Sequence, residues 1–494
     1  MRRNNQFHWI LTVVSLAFAG ILILSAIQAS RSYGIPAFSR KYQTSCATCH
    51  TDFPELNDFG MAFKKNGFKF PKDDETFVKE PPVMLGAKAQ KEAFPKAIYP
   101  GEIPGSVPIA FRYSGVATYS SKQPVSVGYL PQTDLFVPNT FTIIAAGSMG
   151  DRLSFWVDND ISAGGANASA GLGDGYIRIN DLGHYLGLPK DALNLRMGQF
   201  ELDLPFTQAR SINLTGYDIY NQAGIAGVGC TAAPAPCQGG QGTSNNPFMF
   251  SIPQRGIELS GYRSKGNFEG LEWSAAAADG SNNGTALRNS KDVYVRVAQR
   301  FNLERDTASR AEVQAAGPTG PRDHTSLRLG GFYYYGRNAL NPDQSIATIG
   351  TIEEPFYRAG ADFRFKFRNL ELYGLGMYGH DQNHLLATDN GGTVTGFVPA
   401  APVTFTGGFA QANYWIYPWL IGIMRYDVVN SPTDFLNGAS RFSTRNRVSP
   451  GVQVLIRANL KWDFEYQYKW QQPIPNSQQF FRLNGFETGF DYLF

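Results

Sequence analysis

Two cysteines and a histidine lie within five residues near the amino end of the chain. Cys46, Cys49 and His50 have the spacing Cys-x-x-Cys-His. This is the attachment pattern of a c-type haem, in which both thiols bond to the porphyrin edge and the imidazole takes the iron. A disulfide, a thiol redox pair and half a zinc site are the alternatives. A thioredoxin-type pair begins a helix in a βαβ unit, and zinc needs further Cys or His nearby. Neither condition is met, so the pattern predicts one haem c and an electron carrier.

The second axial position of such a haem has no nearby histidine to fill it. His50 is the only histidine between residues 9 and 183, so the candidates are Met61, Met84, a residue of the later chain, or water. A thioether ligand raises the haem potential, which suits a mild electron donor. Met61 follows the motif closely, but it is equally well explained as a methionine packed in a core.

The first residues predict export. Two arginines precede an apolar run over residues 9–27, and small residues follow near Ala29, so residues 1–29 have the pattern of a signal peptide. The run is long for a signal, and an uncleaved membrane anchor is the alternative. Export suits covalent haem attachment and permits disulfides. Cys230 and Cys237 are therefore interpreted as a disulfide that closes a small loop, with a second metal site as the weaker alternative because no histidine is near.

The composition of the remainder indicates a large β structure. The chain has 43% hydrophobic residues, 52 Gly, 24 Tyr and 36 Phe, and no long apolar run follows the signal. The net charge of +3 gives no indication of nucleic-acid binding. From Pro108 onward, segments of about ten residues alternate apolar and polar side chains, as strands do when one face meets lipid and the other meets water. The clearest alternation covers residues 460–470, and the last segment ends in Phe494, as the closing strands of bacterial outer-membrane proteins do.

About sixteen such segments can be counted. Their predicted starts lie near residues 108, 140, 152, 174, 193, 255, 269, 291, 325, 355, 369, 405, 419, 449, 460 and 482. An even count of this size is typical of a porin-class barrel. The predicted fold is therefore mainly β, a transmembrane outer-membrane barrel of about sixteen strands over residues 106–494, with a small monohaem cytochrome c segment before it.

The connections between segments support this fold. Outer-membrane barrels have short periplasmic turns and long outer loops, and short links here alternate with long ones. The long links are predicted at 158–173, 203–254, 337–354, 380–404 and 429–447. Two connections, at 181–192 and 302–324, are longer than a periplasmic turn should be. A soluble β-sandwich or propeller is the alternative fold, but it would not explain the alternation.

Residues 30–105 have a different composition, with many lysines and prolines, and they show no period-two alternation. A short helix is predicted from Glu55 to Lys65, with Leu56, Phe59 and Phe63 on one apolar stripe. This is too little for a core of its own, so a haem and packing in the barrel mouth or lumen are expected to supply the rest. Prolines toward residue 105 indicate a stiff linker into the first strand.

The residues around the Cys-x-x-Cys-His motif resemble a known family. Residues 35–70 have Ile-Pro-Ala-Phe-Ser-Arg before the motif and Phe-Pro-Glu-Leu-Asn-Asp-Phe-Gly-Met-Ala-Phe-Lys after it. Together with the single barrel, they are similar to the fused monohaem cytochrome-porins of bacterial outer membranes. Residues 197–206 also look like a barrel element of that family. Its best-known members oxidise ferrous iron at the cell surface and pass the electron inward through the haem.

The resemblance implies a redox conduit in the outer membrane. Its electron donor would be extracellular Fe(II) or another reductant, its acceptor a periplasmic c-type cytochrome, and its environment outer-membrane lipid, so that the chain would act as a ferrous iron oxidase. The alternatives are an outward conduit to extracellular acceptors and a diffusion porin with a structural haem-bearing plug. A single haem cannot bridge about 30 Å of hydrocarbon from outside the barrel. The conduit therefore predicts a plugged barrel with haem in the lumen or at the periplasmic mouth, and the porin predicts an open lumen.

Further side chains could bind metal ions. His380 and His384 lie four residues apart with Asp389 beyond, in a predicted outer loop. They could hold a metal ion that donates an electron, although solvated loop polarity explains them as well. Inward-facing carboxylates could attract Fe(II) or simply line a pore, and the candidates are Asp158, Asp160, Asp174 and Glu201.

Overall fold

The computed structural model describes a closed β-barrel and a small folded segment that precedes it. The described residues are 37–70, 74–80, 83–84, 92–96, 102–103, 105, 108–120, 132–149, 152–161, 171–207, 213–222, 246, 248–265, 269–280, 290–303, 325–340, 347, 349–436, 439–469 and 484–494. The predicted signal peptide and the predicted Cys230–Cys237 disulfide lie outside them.

The segment before the barrel contains only short elements. They are α1 (Ala37–Tyr42), a 3-10 turn (Cys46–Thr48), β1 (His50–Asp52), β2 (Glu55–Leu56), α2 (Asp58–Lys65), α3 (Asp74–Phe77), β3 (Val83–Met84) and β4 (Glu102–Ile103). Strands β1 and β2 pair with each other, as do β3 and β4. We call residues 37–70 the plug. No helix among the described residues has the length and apolar character needed to cross a membrane.

The helix predicted from Glu55 is shorter than expected. It begins at Asp58, because the side chain of Asn57 accepts a hydrogen bond from the Gly60 N–H at 2.8 Å and thereby caps the first turn. Glu55–Leu56 instead forms strand β2. Phe63 of the predicted apolar stripe is buried, and Phe59 packs against the same aromatic cluster.

Sixteen antiparallel wall strands close the barrel, which confirms the predicted fold class. They are β5 (Ile109–Ser120), β6 (Thr133–Met149), β7 (Leu153–Asp160), β8 (Gly171–Ile179), β9 (Asn194–Phe200), β10 (Gln254–Lys265), β11 (Glu269–Ala278), β12 (Asp292–Asn302), β13 (Ser326–Leu340), β14 (Ile352–Phe367), β15 (Leu370–Thr388), β16 (Val394–Tyr417), β17 (Leu420–Leu436), β18 (Ala439–Arg457), β19 (Leu460–Lys469) and β20 (Gly485–Leu493).

Two of the predicted long loops are largely strand. β15 continues to Thr388 and β16 begins at Val394, not near residue 405, so the loop predicted at 380–404 is reduced to residues 389–393. The loop predicted at 429–447 is likewise occupied by the paired ends of β17 and β18. These predictions were wrong because the hairpins continue past the apolar part of the wall, where the alternation of apolar and polar residues is lost although the pairing persists.

The two faces of the wall differ in polarity, as β19 illustrates. Lys461, Asp463 and Glu465 are buried toward the lumen, whereas Phe464 and Tyr466 face outward and are 41% and 42% exposed. Because an aqueous exterior would not favour such exposure along strand after strand, the outer face is a surface for lipid. The barrel is therefore of the outer-membrane type.

The two ends of the barrel sequence meet at a seam between β20 and β5. Phe494 and Phe111 exchange backbone hydrogen bonds of 2.8 and 2.6 Å, and their rings stack at 5.6 Å. On the lumen side, Phe53 of the plug packs against Ala110 and Leu493. We call this end of the barrel, which carries the seam and the shortest turns, the inner rim.

A long connection after β9 folds into the lumen. We call its described residues, 201–207, 213–222, 246 and 248–253, the lumen loop. Three of its rings stack on inward-facing wall rings: Phe206 on Tyr373 at 4.3 Å, Tyr217 on Phe409 at 3.8 Å and Phe248 on Tyr334 at 4.1 Å. All six rings are buried. The lumen loop therefore fills one side of the lumen with an apolar core.

The plug lies in the lumen near the inner rim. Arg40 donates a hydrogen bond to the carbonyl oxygen of Ile109 at 2.6 Å, and Arg178 donates to that of Lys64 at 3.1 Å. Asp58 pairs with Arg300 of β12 at 2.9 Å. Strands on several sides of the wall thus hold the plug inside the barrel.

Candidate functional site

The Cys-x-x-Cys turn is built by local hydrogen bonds. Ser45 caps the 3-10 turn, and the N–H of Cys49 donates to the carbonyl oxygen of Cys46 at 3.1 Å. The side chain of Asn57 donates to the carbonyl oxygen of Thr48 at 3.1 Å, which ties the turn to the start of α2. Both Cys46 and Cys49 are free thiols. The turn therefore presents two unpaired thiols on one rigid support.

Gly60 lets α2 approach this turn. A Cβ atom at position 60 would lie 1.9 Å from the carbonyl oxygen of Cys49 and 2.8 Å from its carbonyl carbon. Real Cβ atoms do not come that close to a backbone, so only glycine fits between helix and turn. The helix and the two thiols are consequently positioned as one unit.

Burial argues against a redox role for the thiols themselves. It raises the pKa of Cys49 to about 12 and that of Cys46 above its ordinary value. Reactive cysteines have a lowered pKa, because the thiolate is the nucleophile. At neutral pH both side chains are therefore protonated and poorly suited to dithiol exchange. This disfavours the thiol redox alternative.

His50 has the protonation state that a metal ligand needs. Dense surroundings desolvate its ring and lower its pKa to about 4, although the ring keeps some accessible surface where it borders a cavity. The Nδ1 atom lies 3.3 Å from the carbonyl oxygen of Pro54. Metal-binding histidines commonly donate one ring N–H to a backbone carbonyl, which fixes the ring and leaves the other nitrogen for the metal. Iron ligation requires a neutral imidazole, and the low pKa of His50 provides one.

One cavity brings the three motif residues together. It has a volume of about 970 Å³ and is bordered by Cys46, Cys49 and His50 on the plug. Ligand-binding cavities typically measure about 300–1,000 Å³. The opposite side is formed by wall strands, including Ala110, Arg112, Ser114, Thr142, Trp156, Lys461 and Asp491. The cavity lies inside the barrel, between the plug and the seam side of the wall.

Aromatic rings support the plug side of the cavity. Phe38 stacks on Phe68 at 5.0 Å, and Tyr42 stacks on Phe70 at 4.1 Å. Cys49 packs against this cluster, and so does Trp156 from the wall. Two free thiols, a neutral imidazole and an apolar surround therefore fit a covalently attached haem.

The four carboxylates singled out from the sequence all border this cavity. They also have ordinary structural partners. The indole N–H of Trp156 donates to Asp158 at 2.6 Å, and the backbone N–H of Glu201 donates to Asp174 at 2.8 Å. Within the described residues, no three His, Cys, Asp or Glu side chains are grouped so as to hold a metal ion. The carboxylates give the cavity acidic character without forming a metal site.

The two candidate methionines, Met61 and Met84, lie in different places. Met61 borders a separate charged pocket with Asp58 and Lys65, and Met84 lies in the short strand β3. Among methionines whose side chains are described, Met249 of the lumen loop is the one that borders the cavity. Sequence reasoning missed it because the loop has no regular period. The flanking Phe248 and Phe250, both buried, are the signal that could have pointed to a residue facing the other way.

His380 and His384 are separated by the barrel wall. A register irregularity between Asp381 and Asn383 reverses the alternation of β15. The ring of His380 stacks on Tyr357 at 4.9 Å, whereas His384 Nδ1 lies 2.6 Å from buried Glu354. The two rings belong to a strand instead of the predicted loop, and they do not converge on one metal ion.

Comparison with solved structures finds outer-membrane barrels similar to this chain. No protein-family model and no curated protein match the chain. The outer-membrane channel DcaP of Acinetobacter baumannii is 12% identical, with coverage of 78% of this chain and 96% of that chain and a TM-score of 0.42. OmpF of Salmonella typhi in complex with daunomycin is 12% identical, with coverage of 78% and 97% and a TM-score of 0.46. A porin structure is 10% identical, with coverage of 78% and 99% and a TM-score of 0.40.

Proposed function

We propose that this chain transfers single electrons across a bacterial outer membrane through one haem c, held in the barrel lumen by Cys46, Cys49 and His50. The observation that carries the proposal is the shared cavity. Two free thiols and a neutral imidazole, spaced as in c-type haem attachment, border one cavity inside a sixteen-strand barrel. A protein that used the motif only for a disulfide would have no need of that cavity.

The side chains around the cavity have distinct roles in this proposal. A bound haem would supply one-electron redox chemistry. Cys46 and Cys49 would hold the porphyrin edge, and His50 would ligate the iron while the Pro54 carbonyl orients its ring. The aromatic cluster behind Cys49 excludes water from that side of the site. Arg112 and Lys461 of the wall border the cavity. Their positive charges would pair with the carboxylate groups of a bound haem.

The two segments that occupy parts of the lumen favour a conduit. The plug occupies the inner-rim end, and the lumen loop packs its apolar core against strands β12–β17. One redox centre placed outside the barrel would face about 30 Å of hydrocarbon. A centre inside the lumen shortens that distance on both sides. We therefore assign the donor to the outer face and a periplasmic c-type cytochrome to the inner rim as the acceptor.

The negative charges around the cavity suit ferrous iron as the electron donor. Asp158, Asp160, Asp174 and Glu201 border it, and a negative lining raises the local concentration of cations. In the test, purified full-length protein is mixed with Fe(II) and haem reduction is followed optically, with dithionite as the reference reductant. We expect Fe(II) to reduce the haem. If dithionite reduces it and Fe(II) does not, iron is not the donor, and a reduction potential below that of iron would favour the outward conduit.

A diffusion porin is the second candidate, and the barrel itself favours it. Sixteen strands are typical of porins, and the cavity of about 970 Å³ lies along the seam side of the lumen. The two functions differ in planar bilayers. A diffusion porin gives large, steady single-channel conductance, whereas a conduit with both lumen fillers in position gives little. Large conductance without any haem reduction would assign the porin function.

The position of Met61 makes a further prediction about the haem. Because Met61 borders the charged pocket beside Asp58 and not the haem cavity, Met61→Leu is expected to leave the haem absorption spectrum and reduction potential unchanged. Leucine conserves the volume of methionine, so the fold should tolerate the change. Met249→Leu is the matched comparison, since Met249 borders the cavity. A spectral change in Met61→Leu alone would show that the thioether reaches the iron after all.

A further inference from the structure

Within the described residues, strands β7, β8 and β9 are the shortest group of neighbouring strands in the wall. They contain 8, 9 and 7 residues, whereas a tilted strand needs about 9–11 residues to cross a bilayer. Some other wall strands are much longer, for example β16 with 24 residues, whereas β20 has 9 residues and β11 and β19 have 10 each. On this side of the barrel the strands alone therefore provide barely enough apolar height, and surface beyond their ends must meet the membrane boundary.

The connection between β8 and β9 lies directly beyond these strands. In the sequence this connection, predicted at 181–192, is longer than a periplasmic turn should be. We call residues 180–193 the connector. It contains a 3-10 turn, Leu182–Leu186, between the left-handed residues Asp181 and Gly187, with φ of 54° and 70°. Such a turn differs from the two-residue links of the inner rim at 368–369, 418–419 and 458–459.

Hydrogen bonds hold the connector against the barrel. The N–H of Gly183 donates to the carbonyl oxygen of Leu193 at 3.2 Å, and the N–H of Asp181 donates to the Asn194 side chain at 2.8 Å. From the neighbouring strand β10, the N–H of Tyr262 donates to the carbonyl oxygen of Asp191 at 2.9 Å. The connector is thereby fixed to both β9 and β10, so its surface has a defined orientation.

That surface is unusually apolar. Tyr185 and Leu186 are each 69% exposed and Leu188 is 44% exposed. The outward side chains Ile177 of β8 and Met197 of β9 are 48% and 38% exposed. Large exposed apolar groups in one small region mark a contact surface. Tyr185 and Leu186 of the connector are thus more exposed than the outward wall side chains beside them, and Leu188 is about as exposed as they are.

The apolar surface of the connector is continuous with that wall. Gly183 lies where Leu188 and Leu193 approach, since a Cβ atom there would meet their Cβ atoms at 3.0 and 3.3 Å. Leu193 directly precedes β9, whose Met197 faces outward. The surface thus extends from the wall onto the connector without a polar break at this point.

The aromatic residues at the membrane boundary are unevenly distributed around the inner rim. Elsewhere on the inner rim, Tyr417 and Trp419 stack at 5.6 Å and are 54% and 51% exposed, as expected of an interfacial girdle. In β8, β9 and β10 the aromatic residues face the lumen, and they are Tyr176, Phe200 and Tyr262. Tyr185 of the connector is the ring that could continue the girdle here. The guanidinium group of Arg152 lies over it at 4.8 Å.

We propose that the connector is a lipid-contacting element, which places Tyr185, Leu186 and Leu188 in the membrane boundary at the inner rim and completes the apolar belt beside the short strands β7, β8 and β9. Arg152 and the exposed Lys190 provide cations at the level of anionic headgroups. A soluble protein partner would instead have to cover a surface that is continuous with the lipid-facing wall. The proposal is independent of the haem.

The test compares fluorescent amino acids at two positions of the inner rim. One replaces Leu186 of the connector, and the control replaces Ala458, which is exposed in the turn between β18 and β19. Full-length protein is reconstituted in vesicles of phosphatidylethanolamine and phosphatidylglycerol. Quenching is measured with nitroxide-labelled lipid and with aqueous iodide. Heat-modifiable gel mobility verifies that each labelled barrel is folded.

We expect lipid quenching at position 186 to exceed that at position 458 several-fold, and iodide quenching to be several-fold weaker. Equal iodide quenching at both positions would overturn the proposal, because the connector would then be in water. Protection of position 186 that appears only when a soluble c-type cytochrome is added would also overturn it, since the surface would then bind protein and not lipid.

Discussion

Replacing Gly60 by alanine is expected to displace the Cys46–Cys49 turn from its cavity. The new Cβ would lie 1.9 Å from the Cys49 carbonyl oxygen, and a backbone atom cannot move aside as a flexible side chain does. Overpacking a folded site costs about 1–3 kcal/mol, and here the cost falls on the residues proposed to hold haem. In scans of the absorbance of the proposed haem, we expect the plug to melt at lower temperature, and we expect carbon monoxide to reach that proposed haem faster.

Gly376 provides the matched control. It lies exposed in β15, and a Cβ atom there would have no neighbour within 4 Å. Gly376→Ala is therefore expected to leave both the melting temperature and the carbon monoxide reaction unchanged. If Gly60→Ala behaves like this control, the close approach of α2 to the thiol turn is not what positions the proposed haem.

Neutralising Asp58 is expected to loosen the plug and raise ion conductance through the barrel. Asp58 pairs with Arg300 at 2.9 Å and with Lys366 at 3.4 Å, and its side chain is 21% exposed. Asp58→Asn would leave two wall cations without this partner, at a cost of about 3 kcal/mol, the lower end for a buried ion pair. Single-channel recording in planar bilayers measures the effect. Glu353→Gln is the control, because its pair with Arg337 is exposed and contributes little.

The same residue predicts the pH dependence of the plug. Burial alone would raise the pKa of Asp58, but Lys366 and Arg300 lower it well below its ordinary value. The stability that this carboxylate contributes is therefore present above the ordinary carboxyl pKa of about 3.9 and is lost as the pH falls toward the folded-state pKa. Conductance is expected to rise on acidification below about pH 4 in the natural protein. Asp58→Asn should lack this rise, and an equal rise in both would refute the role of Asp58.

The wall could be predicted from the sequence because the alternation of its side chains involves only neighbouring residues. A strand with one face in lipid and one toward the lumen must alternate with period two, and Phe464 beside Asp463 and Glu465 displays this directly. Strand ends were predicted less well, as the displaced start of β16 at Val394 illustrates. Pairing beyond the membrane needs no apolar alternation, so the pattern ends before the strand does.

The contents of the lumen could not be predicted in the same way. Phe206, Tyr217 and Phe248 are buried against wall rings far away in sequence, and nothing in their spacing indicates those partners. The motif residues Cys46, Cys49 and His50 could be proposed as a haem site from the sequence because such chemistry depends on local spacing. Which methionine faces their cavity depends on how α2 and the lumen loop are oriented, and that orientation is a property of the tertiary structure.

The packing of Phe53 at the seam stabilises the closure of the barrel. Of the sixteen pairings in the wall, the one between β20 and β5 joins residues farthest apart in sequence and carries the largest loop-closure entropy. Arg112 bonds Asp491 across this joint at 2.6 Å and lies over the Phe53 ring at 5.5 Å. The plug thus supports, from the lumen side, the strand pairing whose closure costs the most entropy. Plug and wall form one mechanical unit, in which loss of the inner part weakens the outer part at its closing edge.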